Sequence, residues 1–285
     1  MDRPLSLGYS PCPNDTFIFS GIALGRVPGS QRVSEPFLAD VEVLNQKARQ
    51  GELDVTKISF NALVHCLDHY WLLRSGGALG RGCGPLLVTG KPCTLEDLRR
   101  ATVAIPGRLT TANLLLELLG ACQGPRVEMS FEQVMPAVAS GAVEAGVVIH
   151  EGRFTYEGLG LHLALDLGAW WEETTGLPLP LGCIVIRRDL GREAARRMDE
   201  AIVSSLDWAR RHEDEAWPYI RRHAQEMDPQ VIHRHIETFV NDFSRNVGPE
   251  GEQAIRRLLE QAARAADVKI PDRPLFWDSQ EPRSQ

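Results

Sequence analysis

The stretch from Gly146 to Tyr156, "GVVIHEGRFTY", runs the apolar residues Val147, Val148 and Ile149 into two ionisable ones, His150 and Glu151. A strand that finishes on charge either surfaces or delivers a side chain to a cleft, and an imidazole in a cleft can move protons near neutral pH. A lone histidine with no assistance reads first as structural. Lys57 poses a similar question, because it interrupts the apolar strand "DVTKIS" between Thr56 and Ile58. A buried ammonium needs a partner, Asp54 or Glu52 being close in sequence, or an anionic ligand in a cleft. Ser59 ends the same strand and suits either a hydrogen bond to a ligand or the cap of the next helix.

Thr110 and Thr111 stand at the start of "LTTANLLLELLG", where hydroxyls and free N–H groups suit an anion as well as ordinary capping. Ser10, Asn14 and Thr16 occupy the matching place near the N-terminus, and Arg108 and Arg153 are cations that either face a cleft or lie at the surface. His65 and His69 have helical i, i+4 spacing, but the metalloprotease glutamate and a third ligand are missing. They read as a solvated helix face, and no metal is expected. The six cysteines, Cys12, Cys66, Cys83, Cys93, Cys122 and Cys183, form no C-x-x-C pair and read as free thiols.

The glycine-rich "SGGALGRGCG" fits neither nucleotide-binding glycine motif, so tight turns and close backbone approach explain it better, and no cofactor is expected. Trp170 and Trp171 either wall a cleft against an aromatic ligand or pack at a lobe junction. A formal charge of −7 disfavours nonspecific attraction to nucleic acid or an anionic bilayer. An anionic small molecule therefore needs a local, positively polarised site. The opening "MDRPLSLGYSPCPNDT" has no basic n-region or apolar h-region, and the chain reads as cytoplasmic.

The elements that position these residues follow a doubled plan. "LSLGYS" is a strand that leads past Pro11 and Pro13 into a helix beginning at Thr16, capped by Asn14 or Asp15. "ATVAIPGRLTTANLLLELLG" repeats this, with Thr102 to Ile105 as strand, Pro106-Gly107 as turn and Thr110 or Thr111 as cap. Both copies continue with a helix tail, a glycine stop and a short apolar strand, Gly51 matching Gly141. In parallel α/β units ligands bind at the carboxyl ends of strands, so both copies aim at one place.

The segment from Pro85 to Val88 reads as a crossing between lobes, with Thr94 capping a short helix beyond it, and "LPLPLGCIVIRRDL" reads as the return. Four amphipathic helical stretches after that return should pack on the first lobe. The expected fold is α/β, two lobes of the type II periplasmic-binding-protein kind, with a central cleft and two crossover strands. Residues 1–92 and 187–285 form the larger lobe and 93–186 the smaller.

Several segments together, "SPCPNDTFIF", "DVTKIS", "RSGGALGRGCGPLLV", "IPGRLTTANLLL", "IHEGRFTY", "DLGAWWEETTGLPLPLG" and "FVNDFS", resemble the 1,4-dihydroxy-6-naphthoate synthase family of the futalosine route to menaquinone. The likeness spans nearly the whole chain. It implies a cofactor-independent carbon–carbon lyase that converts cyclic dehypoxanthinyl futalosine to 1,4-dihydroxy-6-naphthoate and dihydroxyacetone. It also implies His150 as general base, and Lys57, Ile58, Ser59, Thr110 and Thr111 as residues that hold the carboxylate substrate. Gly152 departs from the family relative, which carries serine there. Two other readings share the fold: a cytoplasmic solute-binding protein for a small aromatic carboxylate, and a related dehydratase of the same quinone pathway, which fits the motifs less well. The sequence leaves room for a homodimer.

Overall fold

The computed structural model describes residues 3–280. The chain opens with β1 (Leu7–Tyr9), α1 (Pro13–Ala23), β2 (Phe37–Leu38), α2 (Val41–Arg49) and β3 (Val55–Ser59), and β1 lies between β2 and β3 with all strands parallel. After α3 (Phe60–Leu63), β4 (Tyr70–Leu72) and β5 (Ala78–Gly80) complete the first sheet, and β6 (Leu86–Thr89) enters the second. The opening unit then recurs as β7 (Val103–Ile105), α4 (Thr111–Leu119), β8 (Arg126–Glu128), α5 (Phe131–Ala139) and β9 (Ala145–Val148). Again the first strand lies between the other two, all parallel.

Next come α6 (Gly152–Thr155), β10 (His162–Asp166), α7 (Leu167–Thr175) and β11 (Leu179–Arg187). β11 runs antiparallel beside β3, and β6 antiparallel beside β9. The sheets thus share one order, β2-β1-β3-β11-β4 and β8-β7-β9-β6-β10, with β5 added on β11. The repeat read from the sequence is a repeat of topology. Gly51 and Gly141 end the helix tails in both copies with φ of 71° and 75°, a conformation that costs glycine nothing and lets the chain turn at once into β3 or β9.

By sheet membership the crossings fall earlier than 92 and 186. The first lies between Gly80 and Leu86 and the return between Asp166 and Leu179, because β6 finds its partners in β9 and β10, and β11 in β3, β4 and β5. α1 also starts earlier than expected, at Pro13 with Cys12 as its cap residue, since a proline has no N–H to lose in a first turn. Beyond β6, Thr94 exchanges hydrogen bonds with Asp97 but caps only a run of turns.

The C-terminal part forms α8 (Arg192–Arg211), α9 (Glu213–His223), α10 (Pro229–Phe239), α11 (Asp242–Arg245) and α12 (Gly248–Ala265). α8, α9 and α10 pack on α1 as expected. α12 does more, lying against α3 and β11 of the first lobe and α4 of the second. Its buried stripe of Ile255, Leu258, Leu259 and Ala262 joins a core that runs through both lobes, from Ile58 and Leu63 to Ile105 and Leu116. No described helix is long and apolar enough to cross a membrane.

At the first crossing, Gly84 touches Gly168 so closely that a Cβ on Gly84 would stand 2.2 Å from the Gly168 Cα. Backbone cannot yield as a flexible side chain does. Gly84→Ala is expected to destabilise the protein by about 1–3 kcal/mol, whereas Gly158→Ala, where a Cβ meets nothing within 4 Å, should stay within about 0.5 kcal/mol. Chemical denaturation of the two variants checks this, and equal stability would refute the close contact.

Candidate active site

The strand ends of both copies converge on one cavity of about 90 Å³. Ser10 and Asn14 reach it from beyond β1, and Lys57, Ile58 and Ser59 from β3. Thr110 and Thr111 enter at the start of α4, and His150 and Arg153 from beyond β9. Thr16 does not line it. That residue is fully buried, and its Oγ1 donates 3.0 Å to the Cys12 carbonyl, as hydroxyls in a first helical turn often do.

The floor is an ion pair. Lys57 Nζ lies 2.7 Å from Asp15 Oδ1 and donates to the Gly76 carbonyl at 2.9 Å, with both charged side chains at most 5% exposed. Asp15 also accepts from Ser10 Oγ at 2.8 Å and from Asn14 Nδ2 at 2.9 Å. Neither Asp54 nor Glu52 serves as the partner. Asp54 takes Arg3 and the Ser6 N–H, Glu52 takes Lys47, and Lys57 projects from β3 toward α1 instead. Asp15 was missed as a site residue, although an aspartate opening the apolar run "DTFIF" is its signal.

Of the roles open to the threonines, Thr110 takes the cap of α4. Thr110 Oγ1 accepts from the Asn113 N–H at 3.2 Å and donates to the Gly107 carbonyl at 2.8 Å, and Thr111 Oγ1 donates to the Leu181 carbonyl at 2.8 Å. Their hydroxyl protons are committed to the fold. What the start of α4 offers a ligand is the N–H groups of Thr111 and Ala112, which have no acceptor among the described residues and carry the favourable end of the helix dipole. Ser59 makes no cap bond; Asn45 holds both its N–H and its Oγ, leaving the hydroxyl proton to point elsewhere.

His150 adopts φ of 57°, an uncommon conformation for a residue with a Cβ, of the kind that clusters at functional sites. The turn swings its ring into the cavity against Phe131, 4.8 Å between centroids. Its Nε2 is buried with no hydrogen-bond partner. Burial pushes the imidazole down to about 4, while Asp15 pulls the other way and Lys57 adds to the shift, so the ring is neutral at pH 7.

Glu151 neither orients that ring nor reaches solvent. It is 7% exposed, burial pushes its carboxyl up to about 7, and its Oε2 lies 3.7 Å from Nδ1 of His235 on α10. His235 was also missed: it is fully buried, its Nε2 is 2.9 Å from Asn14 Oδ1, and its ring stacks 6.2 Å from that of His150. A histidine interrupting the apolar stripe of Ile232, Ile236 and Phe239 is the signal that marks it.

Arg153 lines the cavity but is engaged, donating to the Gly84 carbonyl and lying 3.5 Å from Asp166. Arg108 is exposed beside Glu128 and does not face the cavity. Trp171 is packed at the lobe junction with its Nε1 donating to the Pro178 carbonyl, and Trp170 packs on the same core, so neither walls the cleft. Ala78, Cys83 and Gly84 bring the glycine-rich stretch to the cavity wall. Gly152 leans on Val148, where a Cβ would stand 2.5 Å away, and lies outside the cavity lining. His65 and His69 fall on turns after α3, so they do not share a helix face.

A family model described as menaquinone biosynthesis matches residues 5–264. A 1,4-dihydroxy-6-naphthoate synthase from Thermus thermophilus is 51% identical over 272 residues, covering 95% of this chain and 98% of that protein. Among solved structures, protein AF1704 from Archaeoglobus fulgidus superposes with a TM-score of 0.87 at 34% identity, over 94% of this chain and 99% of that one. The periplasmic aliphatic sulphonate binding protein SsuA from Escherichia coli superposes with a TM-score of 0.62 at 13% identity, over 100% and 97%, which shows the fold alone. The fold is thus that of the periplasmic binding proteins, and the chain belongs to the 1,4-dihydroxy-6-naphthoate synthase family of menaquinone biosynthesis.

Proposed function

We propose that this enzyme is a carbon–carbon lyase of the cytoplasm that fragments cyclic dehypoxanthinyl futalosine into 1,4-dihydroxy-6-naphthoate and dihydroxyacetone, with His150 as its general base. The observation that carries the reading is the placement of a neutral imidazole, with a buried nitrogen that no described residue satisfies, beyond the end of β9 and lining the cavity. Releasing a ketose to leave an aromatic diol requires one proton to be taken and one returned. Aromatisation favours that outcome, so the protein's tasks are positioning and proton transfer.

The substrate's carboxylate is received by the N–H groups that open α4, with the Ser59 hydroxyl beside them. The Lys57–Asp15 pair is neutral as a unit, and it presents an ammonium to the ligand without a free charge on the cavity floor. Arg153, tied to Gly84 and Asp166, braces the wall on which His150 stands.

His150→Asn keeps a residue that tolerates positive φ, and it is expected to fold with an unchanged circular dichroism spectrum while turnover falls roughly 10²–10⁴-fold. Chromatographic detection of the naphthoate product after mixing enzyme and substrate reads this out. Undiminished turnover would remove His150 as the base, and substrate binding by the wild type without any product would return the protein to the solute-binding reading.

Lys57→Met leaves Asp15 buried without its cation, at an expected cost of about 3–5 kcal/mol, most of which the double variant with Asp15→Asn should recover. Denaturant midpoints for the single and double variants test it, and a single variant as stable as wild type would show that the pair does not hold the floor.

A further inference from the structure

We propose that Cys12, His150 and Glu151 form a zinc-binding site that clasps the two lobes together across the cleft. Each residue presents one ligand atom, and these atoms lie within 4.8 Å of one another. The donors come from opposite lobes: Cys12 precedes α1 in the first, and His150 and Glu151 follow β9 in the second. Cys12 and Glu151 are 4% and 7% exposed and His150 is half-buried, so this is not a surface group of acids.

A second observation points to a ligand. His235 is fully buried, its Nδ1 has no hydrogen-bond partner among the described residues, and that atom is 3.7 Å from Glu151 Oε2 at the edge of the same cluster. Buried polar atoms are nearly always satisfied, so this orphan beside the cluster marks a place where something polar fits. One thiolate, one or two imidazoles and one carboxylate are the donors that tetrahedral Zn²⁺ accepts, at about 2.0–2.3 Å, and they do not suit Mg²⁺ or Ca²⁺. Side chains need to close in by rotation to reach those distances.

Binding is a simple exchange. Zn²⁺ gives up water ligands, the Cys12 thiol loses its proton to solvent, and nothing is oxidised or reduced. A bound ion would hold the lobes shut and occupy His150. Inhibition by zinc therefore rests on His150 being the base, whereas the site itself does not.

The test uses Co²⁺ as a spectroscopic stand-in, titrated into the purified, reduced protein. One ion per chain with a near-ultraviolet thiolate-to-cobalt band is expected in the wild type and in Cys93→Ser, the control for the cysteine outside the buried set. The band should vanish in Cys12→Ser, Zn²⁺ should displace cobalt, and excess Mg²⁺ should not. No band, or a band that survives Cys12→Ser, would overturn the proposal. Should Cys12→Ser fail to fold, Glu151→Gln decides: affinity at least ~10-fold weaker supports the site, and unchanged affinity overturns it. Metal-free turnover is measured separately, so a cobalt band in a protein that makes no naphthoate would count against the lyase reading alone. Zinc sensitivity is scored against each variant's own metal-free rate.

Discussion

The Lys57–Asp15 contact is the constraint around which the site is organised. A lysine inside a central strand and an aspartate in the first turn of a helix are each costly to bury alone, and together they close the floor where β3 meets α1. On that floor Gly76 accepts from Lys57 and Ser10 donates to Asp15, and Asn14 links Asp15 to His235. The pair thus ties the opening turn, the glycine-rich crossing and a C-terminal helix to one point. Its two charges act on His150 in opposite directions, Asp15 raising and Lys57 lowering the imidazole, while burial has the largest effect.

Duplication supplies the rest of the geometry. Two copies of a β-α-β-α-β unit, each with its first strand in the middle, point two helix starts at the same cavity. One start, at α1, carries an aspartate of its own in the first turn, Asp15, which pairs with Lys57. The other, at α4, keeps its N–H groups for a ligand. The copies have diverged in chemistry within a shared frame, the first providing an internal ion pair and the second an anion site and an imidazole.

Behind the imidazole lies a polar cluster that substrate chemistry does not account for. Cys12, Glu151 and His235 lie near His150 but do not line the cavity, in a region where buried polar groups would ordinarily be paired. Cys12 and His235 belong to the first lobe's side and Glu151 to the second, so the cluster spans both lobes.

Local signals carried much of the architecture. Glycine stops at Gly51 and Gly141, the Thr110 cap and the apolar strands were legible because each depends on a few neighbouring residues, and the doubled plan followed from them. The same locality misled at Thr16 and at the partner of Lys57. From the sequence alone came polar residues at two strand ends, His150 and Ser59, and at a helix start, Thr111, which the parallel α/β plan aims at one cleft. Only the tertiary structure decided that Lys57 meets Asp15, 42 residues away, and that Asn14 meets His235, 221 residues away. Capping and strand periodicity are properties of adjacent backbone, whereas a buried charge is assigned its partner by the packing of separate elements, which neighbouring residues do not encode.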